Sequence, residues 1–333
     1  DRRNQIGSPI FRMLGQDPVY YYDRVWRMPG KSGLTTPDTM EPVWPSGQSP
    51  TFVREFLKMI EETPTIDFAY AQLGQENSFP WDQQEPGYAP QMAALAELRR
   101  RGHVHVETMG ESGRRFKKTF KETPAQAQIM LADSFGNADP ACASIWYQSR
   151  FYRANLHIQG DLPYLRDLTV YSDRMKQPFL DSPTRLTDVE QRMPAVLDGY
   201  HWRRKTESRG EPGAGGFFMS GGERLRLTGK PQAEEDQTTL SVMLPVQNGL
   251  TLQIGFGERV LAASIIETPV TLAFEWDTAK AALAEVKPDQ LVYKWQGFDY
   301  EVEVAKGEAK ATSMGCHIQA KDDWIALRLA QRF

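Results

Sequence analysis

Glu76, Glu107 and Glu111 are the residues whose type and placement best suit chemistry in this chain. Each stands at or near the end of an apolar run of strand length. Ile66 to Leu73 is mostly apolar, breaks at Gly74, and delivers Gln75, Glu76, Asn77 and Ser78. Val104–Met109 reads as a second strand, with Glu107 inside it and Gly110 and Glu111 straight after. Open α/β sheets and β/α barrels place their ligands at the carboxyl ends of strands. A carboxylate there serves as general acid, base or nucleophile if its surroundings set its pKa. Two of them flanking a glycosidic bond would hydrolyse it, one protonating the leaving oxygen and the other acting as nucleophile or base. The bland alternatives are a surface carboxylate at Glu76 and, at Glu111, an acid favoured by a helix N-terminus.

The neighbouring polar groups fit a sugar. Gln75 and Asn77 can hydrogen-bond hydroxyls, and Glu41, Trp44 and Trp81 lie on loops where an indole forms either a stacking platform or a packing plug. Strand alternation puts His103, His105 and Glu107 on one face. His105 with Glu107 lacks the further ligands a metal needs, so no metal and no cofactor is expected. Asp133 is a weaker candidate. Trp146, Tyr147, Arg150, Phe151, Tyr152 and Arg153 form an aromatic and basic cluster, read as a domain interface or a sugar subsite.

The elements that must position these residues alternate. Ser49-Pro50 opens a helix through Phe52, Phe56, Leu57 and Ile60, with Pro64 stopping it. Ile66–Leu73 is a strand, and a polar loop with Pro80, Trp81 and Pro86 follows it. Met92–Leu98 marks a helix closed by Arg99-Arg100-Arg101 and Gly102. His103–Met109 is a strand, Ser112–Phe120 a helix and Gln128–Leu131 a strand. This order predicts parallel strands with helical crossovers. With the short β-rich run Pro18–Tyr22 ahead of them these make four strands, few for a closed barrel, so the sheet is either small and open or completed upstream of Asp1. The same alternation buries Phe68 and Tyr70 and opens Glu76 onto a cleft.

The texture changes at Gly136–Pro140. Short strand-like runs follow, from Ile145–Tyr152 to Ile325–Leu329, many parted by turns such as Ser220-Gly221-Gly222 and Gln247-Asn248-Gly249. They predict a β-sandwich, with Thr278–Val286 as its one helical insert. The expected architecture is a β/α barrel-like domain over 1–138 and an all-β sandwich over 139–333.

Bulk properties bound the function. The 333 residues carry a net charge of −4, with 40% hydrophobic and 25% charged residues. Nothing there argues for nucleic acid or an anionic membrane surface. No run of about 20 apolar residues is present, so no transmembrane helix is expected. No signal peptide is evident, and the compartment stays open between cytoplasmic and secreted. Beginning at Asp1, the chain reads as a processed product or a fragment. Cys142 and Cys316 are either one disulfide or two buried thiols.

Several stretches carry a resemblance: Ile10–Gly15, Asp17–Asp23, Glu41–Gly47, Leu73–Phe79, Val106–Glu111 and Trp146–Arg153. They resemble a group of bacterial glycoside hydrolase-like proteins whose barrel is related to polysaccharide deacetylases and α-mannosidases. The resemblance covers roughly residues 6–202. It implies the second half of a barrel followed by a sandwich, acting on an oligosaccharide or polysaccharide. The chain departs from the deacetylase pattern, since its Asp-Asp pair, Asp322-Asp323, is far from the barrel-like part and no His-x-x-x-His occurs. The leading expectation is a carbohydrate-active enzyme, a glycoside hydrolase. The alternative is a non-catalytic carbohydrate-binding or scaffold protein.

Overall fold

The computed structural model describes residues 7–9, 40–43, 45–62, 69–71, 73, 78–132, 142–176, 194–199, 201–202, 212–266 and 268–330. The chain divides into two compact units. One is Gly7–Thr123 with Gln128–Ile145, and the other is Trp146–Phe333 with Asp1–Ile6 and Pro124–Ala127.

The first unit is helical: α1 (Pro45–Gln48), α2 (Pro50–Glu61), α3 (Trp81–Arg100) and α4 (Met109–Thr119). Along α2, Val53, Phe56, Leu57 and Met59 recur at helical spacing and are buried with Met40 and Leu98. Ala71, Leu73 and Val104 pack against that cluster. Helix α3 is longer than the sequence suggests. It takes up Trp81, Pro86 and Pro90, although each internal proline removes a helical N–H. Tertiary packing holds this stretch. Gln91 Nε2 donates to Gly47 O at 2.7 Å. Gly87 lies so close to α1's approach that a Cβ would stand 2.4 Å from Pro42 O.

The expected β/α barrel is not what the described residues form. They are mostly β, in two antiparallel sheets, with no barrel and no parallel sheet. Residues 69–71 and 73 of the expected strand Ile66–Leu73 are outside any ladder. Residues 104–108 are irregular chain leading into α4. The physical reason is that a short apolar run asks only for burial. Ala71, Leu73 and Val104 obtain it from α2 and α3 without pairing. The half-barrel that the family resemblance implied is therefore not formed by the described residues. Phe68, Gly136–Pro140 and Pro64 lie outside the described residues.

The strands are β1 (Gln126–Ala132), β2 (Cys142–Gln148), β3 (Tyr152–Gln159), β4 (Leu162–Val170), β5 (Ala195–Asp198), β6 (Gly215–Ser220), β7 (Glu223–Arg224), β8 (Gln232–Asp236), β9 (Thr239–Pro245), β10 (Thr251–Phe256), β11 (Val260–Ile265), β12 (Thr271–Glu275), β13 (Leu283–Lys287), β14 (Gln290–Trp295), β15 (Phe298–Lys306), β16 (Glu308–Thr312), β17 (Gly315–Gln319) and β18 (Trp324–Arg328). The unit division falls within β1 and β2. Among the strands wholly inside the second unit, one sheet runs β3-β4-β6-β12-β17-β16, with β5 on β4 and β7 on β6. The other runs β13-β14-β15-β18-β11-β10-β9-β8.

In the second sheet, β9, β10 and β11 alternate buried and open positions, with Leu240, Val242, Leu244, Leu252, Ile254, Leu261 and Ile265 inside. In the first, β4 is buried along its whole length. Tyrosines tie the two sheets. Tyr152 OH reaches Gly257 O at 2.9 Å, and Tyr300 OH, from the other sheet, reaches Ala195 O at 2.6 Å. Burial pushes both phenols upward. The expected helix Thr278–Val286 is instead a turn followed by β13, which pairs with β14. Hairpin pairing there overrides the helix-forming alanines. Cys316 is a free, buried thiol, pushed up to about 12 by burial.

Gly315 shows how tightly the first sheet is closed. It has φ 138°, and a Cβ would stand 2.2 Å from Phe274 O. Gly315→Ala should therefore destabilise the β unit by about 2–4 kcal/mol. Gly255, with nothing within 4 Å of a Cβ, is the control, and Gly255→Ala should stay within about 0.5 kcal/mol of the parent. Urea unfolding followed by near-UV circular dichroism measures both. Equal midpoints for the two variants would refute the close packing at Gly315.

Candidate functional site

Helices α2, α3 and α4, the chain at 69–71 and 103–107, and Leu73 wall a cleft of about 580 Å³. Leu57, Ile60, Leu73, Leu95 and Val104 give it apolar surface. Tyr70, Phe116 and Phe120 add rings, and His103, His105, Glu107, Ser112 and Arg115 add polar groups. Phe116 and Phe120 lie one helical turn apart with their ring centroids 5.0 Å apart. A concave, mainly apolar surface with a few convergent polar groups is the usual form of a small-ligand site.

The sequence brings this about through a cap. Thr108 precedes α4, and its hydroxyl accepts the Glu111 N–H at 3.3 Å. Glu111 returns the bond, taking the Thr108 N–H at 2.8 Å and the Thr108 hydroxyl at 2.7 Å. This capping box starts the helix. It leaves the chain before Thr108 free to run along the cleft, which places Glu107 in the lining. The Thr108 N–H, then its hydroxyl, hold the Glu111 carboxyl below the ordinary carboxylate range. Glu107 is engaged as well, since Ser112 Oγ donates to it at 3.1 Å and Arg115 pairs with it. His103 meets Glu61, which also receives Arg101 at 3.2 Å.

The other expected site residues are dispersed. Glu41 is half-buried ahead of Pro42. Trp81 opens α3, is 58% exposed, and meets Tyr88 edge-on at 6.0 Å. Glu76, Gln75, Asn77, Trp44 and Asp133 lie outside the described residues. Tyr70, expected to be buried, is half-buried in the cleft wall. Among the described residues no three His, Cys, Asp or Glu stand together as a metal site. No helix among them is long and apolar enough to cross a membrane.

The β unit holds a polar row of which the sequence reading had named only Arg153. Arg153 grips Asp167 with two bonds, 3.0 and 2.9 Å, and Thr169 donates to the same carboxylate at 3.1 Å. Strand alternation puts Asn155 and His157, both fully buried, on the face of Arg153. His157 meets Tyr164 edge-on, Tyr164 stacks on Phe217, and the Arg224 guanidinium lies 3.7 Å above Phe217 while bonding Glu275 at 2.7 Å. The available signal was the alternation Arg153, Asn155, His157, Gln159 within one strand.

No family model and no curated protein matches the chain. Among solved structures, an active YidC insertase with its first transmembrane domain resolved is similar at 9% identity and a TM-score of 0.36, covering 65% of this chain and 43% of that one. YidC from Thermotoga maritima is similar at 9% identity and a TM-score of 0.33, covering 61% and 51%. The chain spans about half the length of these structures or less. Likenesses at this level assign neither fold nor activity.

The capping box makes a pH-dependent prediction. Because the folded-state pKa of Glu111 is depressed, its contribution is present above the ordinary carboxylate value and is lost as pH falls through the folded value. The Cα chemical shifts of Met109–Arg115 should lose helical character on acidification below the ordinary carboxylate range. Glu111→Ala should remove that step, and Thr108→Ala should weaken α4 by about 1 kcal/mol at neutral pH. Helical shifts in the parent that ignore pH would show that the cap does not hold the helix.

Proposed function

We propose that the chain is a non-catalytic carbohydrate-binding protein and that the cleft of the helical unit is its sugar site. One observation carries the reading. Glu107 and Glu111, the carboxylates beside the cleft, are both occupied in starting and bracing α4. Glu111, held below the ordinary carboxylate range by Thr108, is a fixed acceptor rather than a proton shuttle, and Glu107 is braced by Ser112 and Arg115. The lining suits the ligand. Rings at Tyr70, Phe116 and Phe120 offer faces to the C–H side of a pyranose, while Ser112, His105 and Arg115 supply polar contacts.

Titration of the whole chain with short neutral oligosaccharides, followed by amide NMR, tests this. Shifts should concentrate at Val104–Thr108 and along α4. Phe116→Ala should weaken binding roughly three- to tenfold, the worth of one aromatic contact, and Phe116→Tyr should retain it. No hydrolysis of aryl glycosides should accompany binding. Turnover that Glu107→Gln abolishes would overturn the binding-only reading, as would shifts that bypass the cleft.

A further inference from the structure

We infer that the outer face of the second sheet is a platform for a neutral, extended glycan chain, laid across five strands from Trp324 to Gln232. The site goes beyond the cleft, because every residue of it stands on a strand of the β unit.

The strand register builds the platform. Trp324 on β18 pairs with Ser264 on β11, Ser264 with Gln253 on β10, Gln253 with Met243 on β9, and Met243 with Gln232 on β8. Their chain neighbours Ile325, Ala263, Ile254 and Val242 are buried, so alternation turns the whole row outward. Adjacent strands lie about 4.8 Å apart, which makes the row roughly 19 Å long. Beside it runs a row of small residues, Ser241, Gly255, Ala262 and Ala326. A Cβ added at Gly255 would meet nothing within 4 Å, so the floor next to the polar row is low and open.

The chemistry of the row selects the ligand. Trp324 is 42% exposed. Lys306, from β15, stands 5.6 Å over its ring and pairs with Asp322. The cation braces the indole from the β15 side and leaves the β11 side, where Ser264 stands, to a ligand. Gln253 and Gln232 each donate and accept through a carboxamide, and Ser264 does both through its hydroxyl. The Gln253 amide donates to Ser241 Oγ at 3.3 Å, which holds it along the sheet. Neither row contains a charged residue. Charges stand only at the borders, at Glu234, at Lys306 and in the Arg328–Glu303 pair. An uncharged strip complements an uncharged ligand and gives a polyanion or polycation nothing to pair with. A protein partner would call for an apolar centre, and the centre here is Gln253 with Ser264 and Gly255. Linked neutral pyranoses present C–H faces to an indole and hydroxyls to the amides. One pyranose spans roughly one strand spacing, so about five fill the row.

The probes are cellopentaose, xylopentaose and mannopentaose with their monosaccharides, titrated into the whole chain and read by amide NMR. Beside any shifts in the cleft, at least one pentasaccharide should saturably shift the amides of Gln232, Met243, Gln253, Ser264 and Trp324. It should bind there roughly tenfold or more tightly than its monosaccharide, the worth of one or two added hydrogen bonds. Trp324→Ala should weaken binding roughly fivefold, on the scale of one aromatic contact, and Trp324→Phe should recover part of it. Gly255→Leu, at a position with room for a side chain, should block the floor and weaken binding as well. Near-UV circular dichroism checks that these variants are folded. Phe116→Ala, in the helical unit, should leave this face's response unchanged, so failure of the cleft reads separately from failure of the platform. Absence of saturable shifts on this face with all three pentasaccharides would overturn the inference, as would unchanged affinity in a folded Trp324→Ala variant. So would a dimer in sedimentation that Trp324→Ala dissolves, since the face would then be a contact between two copies.

Discussion

The β unit depends on tyrosine hydroxyls that cross its interior. Tyr147 donates to Thr238 O at 2.8 Å, Tyr152 to Gly257 O, and Tyr300 sends its bond the other way, to Ala195 O. Each phenol brings a large apolar ring into the layer between the sheets and must still find an acceptor, since a buried hydroxyl without one is costly. Backbone carbonyls of the opposite sheet meet that need, in turns at Thr238 and Gly257 and at the start of β5 at Ala195. The consequence is positional. A tyrosine bonded to a carbonyl across the core fixes the distance and slide of one sheet against the other, which apolar side chains alone define loosely. Ser149, whose hydroxyl reaches Glu258 O at 2.7 Å, reinforces the same β10–β11 corner.

With the sheets so fixed, the opposite face of the first sheet can hold charged groups. Arg153 with Asp167 and Arg224 with Glu275 are each largely shielded, with side-chain exposures between 7% and 21%. Shielded pairs are retained only when their geometry is good and their remaining polar atoms are satisfied. The two-bond grip of Arg153 and the added Thr169 hydroxyl meet that condition at one end. At the other, Arg224 combines its ion pair with the face of Phe217. The row therefore joins strands β3, β4, β6, β7 and β12 by side chains as well as by the ladder.

How far the sequence revealed this differs between the halves. Runs such as Thr238–Leu244, Leu250–Gly255 and Arg259–Ile265 fall on β9, β10 and β11, because one-sided burial writes a period of two into the residues. Strand β8, Gln-Ala-Glu-Glu-Asp, was invisible since an exposed edge strand has no such period. In the helical half the period misled. Val104-His105-Val106-Glu107 alternates like a strand, yet Val106 is exposed, and Thr108-x-x-Glu111 is the signal that decides the local structure. A capping box outranks a four-residue alternation because it fixes two backbone donors by name, whereas alternation only states a preference for a partner that must be found elsewhere.

That same box bears on what Glu111 can do. A general acid works best when its pKa is raised toward the working pH. The Thr108 N–H and hydroxyl do the opposite, favouring the ionised carboxylate at the start of α4, where the helix dipole adds to the same preference. Protonating Glu111 would cost the helix its cap, so each proton transfer through it would loosen the wall of the cleft beside it. A carboxylate in that position holds the site's shape. Glu111 bears on the cleft through the backbone it anchors and the placement it gives Glu107, Ser112 and Phe116.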